Sequence, residues 1–146
     1  MIAKISTVLD ATIEPAWRAV KKSSTLIYVT RGLLAFSQGT FPDEWQEGEV
    51  VRTRLFFFGL LPAWSHYLRF VRIDNHKHEL YTNEGGGLLR EWNHLIKIEP
   101  EREGRCRYTD EIEIRAGLLT PLAWLYAHLF YRYRQMRWKR LALKLE

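Results

Sequence analysis

The sequence predicts an α+β fold in which a curved antiparallel sheet of six strands wraps around one long C-terminal helix, with two short helices after the first strand. Three observations predict it. From residue 49 to residue 115 apolar and polar side chains alternate with a period of two, broken by short clusters rich in Gly, Pro, Asn and Asp. From residue 120 onward the pattern turns helical, opened by Pro121 and free of any later breaker. Ahead of residue 49, one strand pattern precedes two helical ones. A single sheet has one apolar face to bury, and a helix of about 24 residues spans roughly 36 Å, enough to cross it.

The elements follow in order. Ile2 to Leu9 alternates Ile, Thr and Val and reads as a strand. Thr12 offers an N-cap oxygen, Glu14 puts negative charge in the first turn and Pro15 is tolerated there, so a helix runs to about Lys22. Ser23 and Ser24 break it, and a second short helix from Ser24 to Arg31 ends at Gly32. Residues 33–47 read as irregular. Five strands come next: Glu49 to Phe58, Trp64 to Ile73, Lys77 to Glu84, Arg90 to Ile98 and Arg105 to Arg115. Their short connections force antiparallel neighbours.

On the last helix Leu122, Leu125, Leu129, Tyr133, Met136 and Leu143 share one stripe, with Tyr126 at its edge, and this stripe is assigned to the sheet. Trp124, Tyr131 and Trp138 recur every seven residues on the opposite side. Large aromatics are out of place on a wet face, so a cover is predicted there: a second copy of the chain, or a membrane surface.

At 146 residues the chain is read as one domain over 1–146. Apolar residues at 47% and aromatic residues at 14% exclude the disordered class. The single cysteine, Cys106, excludes an intrachain disulfide and a cysteine zinc cage, and fits a reducing, cytoplasmic location. The opening residues read as a strand rather than a secretory signal. The apolar stretches at 55–64 and 116–131 fall short of the roughly 20 residues a spanning helix needs, and Gly59, Pro62 and Pro121 interrupt them. The net charge of +5 is carried by the last fifteen residues, where Arg132, Arg134, Arg137, Lys139, Arg140 and Lys144 outnumber Glu146. Cations suit a helix C-terminus, so a nucleic-acid partner is not predicted.

A candidate site comes from the last two strands. A turn centred near Glu101 to Glu103 sets Ile98 opposite Cys106, Ile96 opposite Tyr108, His94 opposite Asp110 and Trp92 opposite Ile112, all on the inward face. His94 and Asp110 then stand side by side. A carboxylate can orient an imidazole and raise its basicity, as a general base requires. It can equally be half of a buried pair that satisfies itself. Both readings stay open, with binding preferred over catalysis.

The same alternation puts Thr53, Leu55 and Phe57 across from Trp64, His66, Leu68 and Phe70, an aromatic wall. With Tyr81 from the middle strand, and Leu125, Tyr126, Leu129 and Tyr133 from the helix, these residues describe a pocket for a small apolar ligand. His76-Lys77-His78 spans a turn without a carboxylate or thiolate set, so no metal is assigned. Gly85-Gly86-Gly87 leads into a strand rather than a helix and reads as a turn, not a phosphate cradle. Cys106 faces inward and is read as inert. No cofactor is predicted.

The segment Glu84-Gly-Gly-Gly-Leu-Leu-Arg-Glu-Trp-Asn-His94, then Tyr108-Thr-Asp-Glu-Ile112 and Phe130-Tyr-Arg-Tyr-Arg134, together with the element order, resembles the START-like helix-grip superfamily (SRPBCC). That superfamily includes lipid-transfer START domains, the birch-pollen-allergen group and bacterial polyketide cyclase/dehydrase-like proteins. The match is to the bacterial branch and covers nearly the whole chain. It implies a cavity between sheet and helix that takes a lipid-like or polyketide-like molecule. Two alternatives stand beside it, read from the residues themselves: a metal-free cyclase or dehydratase using His94 and Asp110 in that cavity, or an interaction protein docking through the basic aromatic helix on membrane, RNA or its own copy.

Overall fold

The structure is a computed structural model that describes residues 1–145. Its elements run β1 (Ile2–Leu9), α1 (Ile13–Val20), α2 (Ser23–Thr30), β2 (Leu34–Phe36), β3 (Val50–Phe57), β4 (Leu61–Asp74), β5 (Glu79–Gly86), β6 (Leu89–Pro100), β7 (Cys106–Arg115) and α3 (Thr120–Ala142). The strands form one antiparallel sheet in the order β1-β7-β6-β5-β4-β3-β2, curled against the long C-terminal helix.

The sheet has seven strands rather than six. The extra one, β2, lies in the stretch read as irregular and pairs with β3 through Leu34–Phe57 and Phe36–Leu55. Three residues are too few for an alternating pattern to register in sequence. Thr12 does not cap α1 through its side chain; at the start of α3 the Thr120 hydroxyl accepts from Ala116 N–H and donates to Gly117 C=O.

The larger correction concerns the face of α3. Tyr131 and Trp138 are buried, at 2% and 1% exposure, whereas Leu122, Leu125, Leu129, Met136 and Leu143 lie in solvent, Leu129 at 64%. The surface predicted to need a covering partner is the inner face itself. Trp124 packs beside it at the edge and donates its indole N–H to Ile2 C=O at 2.8 Å. The helix is apolar on both sides, so periodicity cannot choose between them. Size and polarity can. Ala127 and Ala142, fully buried, let the helix approach closely, and Gln135 between them reaches the backbone of β1, donating to Ile5 C=O at 2.7 Å.

The helix docks over the β1–β7 end of the sheet and against α2. Arg137 donates to Tyr28 C=O at 2.9 and 3.2 Å with its guanidinium 4.3 Å from the Tyr28 ring, and the Tyr133 hydroxyl donates to Arg31 C=O. The main sheet contacts of α3 are therefore with β1 and β7 rather than with β3 to β5. Among the described residues no helix is long and apolar enough to cross a membrane.

This orientation predicts opposite responses at two neighbouring positions. Ala127→Leu, which overfills the contact with Ala3 and Ile112, should cost about 1 to 3 kcal/mol in urea denaturation. Leu129→Ser should change stability by no more than about 0.5 kcal/mol.

Candidate functional site

The space between α3 and strands β3 to β6 is a cavity of about 490 Å³. Its wall is aromatic and aliphatic: Phe57, Trp64, Leu68 and Phe70 from β3 and β4, Trp92 and Ile96 from β6, and Phe130, Tyr131 and Trp138 from α3. Trp45 stacks on Phe70 at 4.6 Å and Phe57 meets Trp64 edge-on at 5.7 Å. The rim at Leu88, Leu119 and Leu122 is exposed and apolar.

The glycine run shapes that rim. Gly86 and Gly87 have φ of 146° and 55°, and a Cβ on them would sit 2.2 Å from Ser65 O and 2.4 Å from the Trp64 ring. Only glycine fits there, and the turn packs flat against Trp64.

A few polar groups interrupt this lining, among them His66, Thr82, Glu84, His94 and Arg134. Strands β6 and β7 pair with His94 opposite Ile112 and Ile96 opposite Asp110, two residues away from the predicted register, because the turn runs from 101 to 105. The parity is unchanged, so His94 and Asp110 meet diagonally, with Nε2 and Oδ1 2.7 Å apart. Asp110 is 0% exposed and receives two further bonds, from Tyr108 Oη to Oδ1 at 3.0 Å and from Gln135 Nε2 to Oδ2 at 3.0 Å. Burial by itself would raise its pKa. The bond from His94, the charge of Arg134 and the bond from Gln135 outweigh burial and hold it below the ordinary carboxyl range.

A second pair stands beside the first. His66 Nε2 lies 3.1 Å from Glu84 Oε2, and Thr82 Oγ1 donates to Glu84 Oε1 at 2.6 Å. Burial pushes Glu84 up, but its bond and charge interaction with His66, the charge of His94 and the Thr82 bond bring it below its usual value. Arg134 completes the group from α3, 5% exposed, its guanidinium 4.9 Å from the Tyr131 ring and 6.0 Å from Phe130.

Of the residues assigned from sequence, Leu55, Phe57, Trp64, His66, Leu68, Phe70, Trp92, His94, Ile96 and Tyr126 line the cavity. The others do not. Thr53 is buried behind the wall, bonded to Ser37 and Thr40. Tyr81 lies on the outer face under Arg72, because β5 turns Leu80, Thr82 and Glu84 inward. Tyr108 packs on Trp138, and Asp110 sits behind His94. Leu125 and Leu129 are outside and Tyr133 is spent on α2. Sequence reading missed Thr82, Glu84 and Arg134. The first two could have been found from Thr82 pairing with His94, which fixes the parity of β5. Cys106 is inward and buried, which pushes its thiol up to about 11. In the His76–His78 turn, Asp74 accepts from two backbone N–H groups and His78 approaches Glu14 at 3.2 Å.

A family model described as "Domain of unknown function (DUF8410)" matches residues 27–142. The chain belongs to that family. No curated protein matches it. Solved structures match over the full length. A Chromobacterium violaceum protein superposes with a TM-score of 0.76 at 12% identity, covering 97% of this chain and 96% of that one. A START superfamily protein from Mycobacterium smegmatis gives 0.70 at 9% identity, with 98% and 97% covered. Norcoclaurine synthase from Thalictrum flavum, solved with dopamine and hydroxybenzaldehyde, gives 0.69 at 14% identity, with 99% and 87% covered. The fold is therefore the START-like helix-grip fold.

The lowered carboxyls give a signed pH dependence. In the range between the folded and the ordinary pKa values, the unfolded chain binds more protons than the folded one, so stability rises with pH there. It is complete above the ordinary values of about 4 and is lost as pH falls through the folded ones. Asp110→Asn should lower stability at pH 7 by about 1 to 3 kcal/mol. It should also flatten the acid limb, as read from urea midpoints between about pH 5 and 2.

Proposed function

We propose that the protein binds and carries one small, largely apolar molecule, lipid-like or polyketide-like, in the cavity between β3–β6 and α3. The observation that carries this reading is the cavity itself: about 490 Å³, walled mostly by aromatic and aliphatic side chains, with a few polar groups among them and an apolar rim. Such proportions are those of ligand sites rather than of packing defects, since ordinary interiors hold few voids larger than a water. The polar pairs support binding over chemistry, because both oxygens of Asp110 are already committed to partners on β6, β7 and α3.

Catalysis is the second reading, and one observation favours it. His94 borders the cavity while its Nε2 is fixed by Asp110, which is how a base is oriented. Norcoclaurine synthase is an enzyme of like fold. On this reading His94→Gln preserves probe binding but slows cyclisation of a linear poly-β-ketone thioester by about 100-fold or more.

An apolar fluorescent probe such as 1-anilinonaphthalene-8-sulfonate should bind with a stoichiometry near one. Ala123, small and at the cavity's helix side, offers a way to close it. Ala123→Trp should leave the thermal midpoint within a few degrees of the parent and weaken probe binding by about tenfold or more. Equal binding by both proteins would place the probe elsewhere and remove the cavity reading.

A further inference from the structure

The cavity's unmet hydrogen-bonding capacity is lopsided. Three of its lining side chains, Trp64, Arg134 and Trp138, carry a buried N–H with no partner among the described residues. Each of these groups can donate and none can accept. The other unpartnered buried atoms outside this lining are on Glu49, Asn83 and His128. His66 Nδ1, also unpartnered, takes either role according to tautomer.

Arg134 is the strongest of the three. It is a cation with 5% exposure, and no carboxylate oxygen of the described residues comes within 4.0 Å of its nitrogens. Buried charges are ordinarily paired and hydrogen-bonded, and a guanidinium offers five donors in a planar fork. The two acids nearby attract it at longer range and keep it protonated, but their oxygens are engaged by other donors. Asp110 is taken by His94, Tyr108 and Gln135, and Glu84 by His66 and Thr82. The flanking Tyr131 and Phe130 rings hold the guanidinium in place without using its N–H groups. A planar, preorganised fork at the edge of an apolar cavity matches a carboxylate, which accepts two parallel bonds from it.

Position along the helix gives the ligand a direction. Arg134 lies twelve residues beyond Leu122 of the rim on the same helix, about 18 Å at 1.5 Å per residue. An elongated molecule with its charged end at Arg134 would leave its tail among Leu68, Trp92 and Phe57 and point it at the apolar rim.

We propose that Arg134 anchors the head group of the cavity's ligand, and that the ligand is an apolar carboxylic acid. This rests on the reading of the cavity as a ligand site and adds the ligand's chemical class.

The test compares cis-parinaric acid with its methyl ester, both fluorescent and alike in their hydrocarbon tail, on the full chain and on Arg134→Met. The intact chain should bind the acid tighter than the ester by about tenfold or more, the scale of a charge-assisted bond. Arg134→Met should lose that preference by weakening the acid alone. Arg134→Lys, which keeps the charge without the fork, should fall between. Circular dichroism checks the fold of each variant, and if Arg134→Met does not fold, the acid-to-ester ratio on the intact chain and on Arg134→Lys decides. Equal binding of acid and ester by the intact chain overturns the anchor while leaving the cavity reading standing. Binding of neither overturns both. Tighter binding of dodecyl phosphate than of dodecanoate keeps Arg134 as an anion anchor but overturns the carboxylate assignment.

Discussion

The fully buried carboxylate of Asp110 is the constraint around which the rest is arranged. Removing an unpaired carboxylate from water is costly enough that it must either protonate or gather donors. This one gathers them from three elements: His94 on β6, Tyr108 on its own strand β7, and Gln135 on α3. Gln135 uses the same amide nitrogen to reach Ile5 C=O on β1. One side chain thereby ties the edge strand, the two strands next to it and the long helix to a single geometry. Polar bonds of this kind carry direction and length, which apolar packing does not.

That geometry explains why a cavity exists at all. A helix free to settle by hydrophobic contact alone would lie along the middle of the sheet and close the space beneath it. Here α3 is fastened to one side, by Gln135 and Trp124 to β1 and by Arg137 and Tyr133 to α2. The fastenings hold it over β1 and β7, with the buried alanines at 127 and 142 permitting the close approach. The main sheet contacts of α3 are with β1 and β7, and β3 to β5 curl past them. The void is a product of where the polar bonds fall, and its aromatic lining follows from the alternation of strands that must still turn an apolar face inward.

How much of this could be read from residues alone follows the same division. Strand alternation depends on a fixed period of two, so the inward face of β3, β4 and β6 was legible from sequence, and His94 and Asp110 met even though the register was two residues off. An even slip preserves the face. Strand β5 was misread at Tyr81 because polar residues such as Thr82 and Glu84 do not announce themselves as inward. The helix was misread for a different reason. Hydropathy ranks leucine above tyrosine, glutamine and arginine, yet Tyr131, Arg134, Gln135 and Trp138 form the buried face. Tyr131 and Gln135 find hydrogen-bond partners there, Trp138 packs on Tyr108, and Arg134 lies against the Tyr131 and Phe130 rings, contacts that no single-residue scale contains. Strand β2 escaped notice for want of length.

The inward face of α3 thus has two kinds of polar residue, and the difference between them bears on function. Gln135 is wholly satisfied by protein atoms and its role is architectural. Arg134, its neighbour and equally buried, is turned to the cavity and keeps donors to spare. A fold selected for stability alone gains nothing from an unmatched buried cation, since an apolar side chain of similar size is generally tolerated better in such a place. Keeping the charge makes physical sense where an occupant of the cavity supplies the missing acceptor.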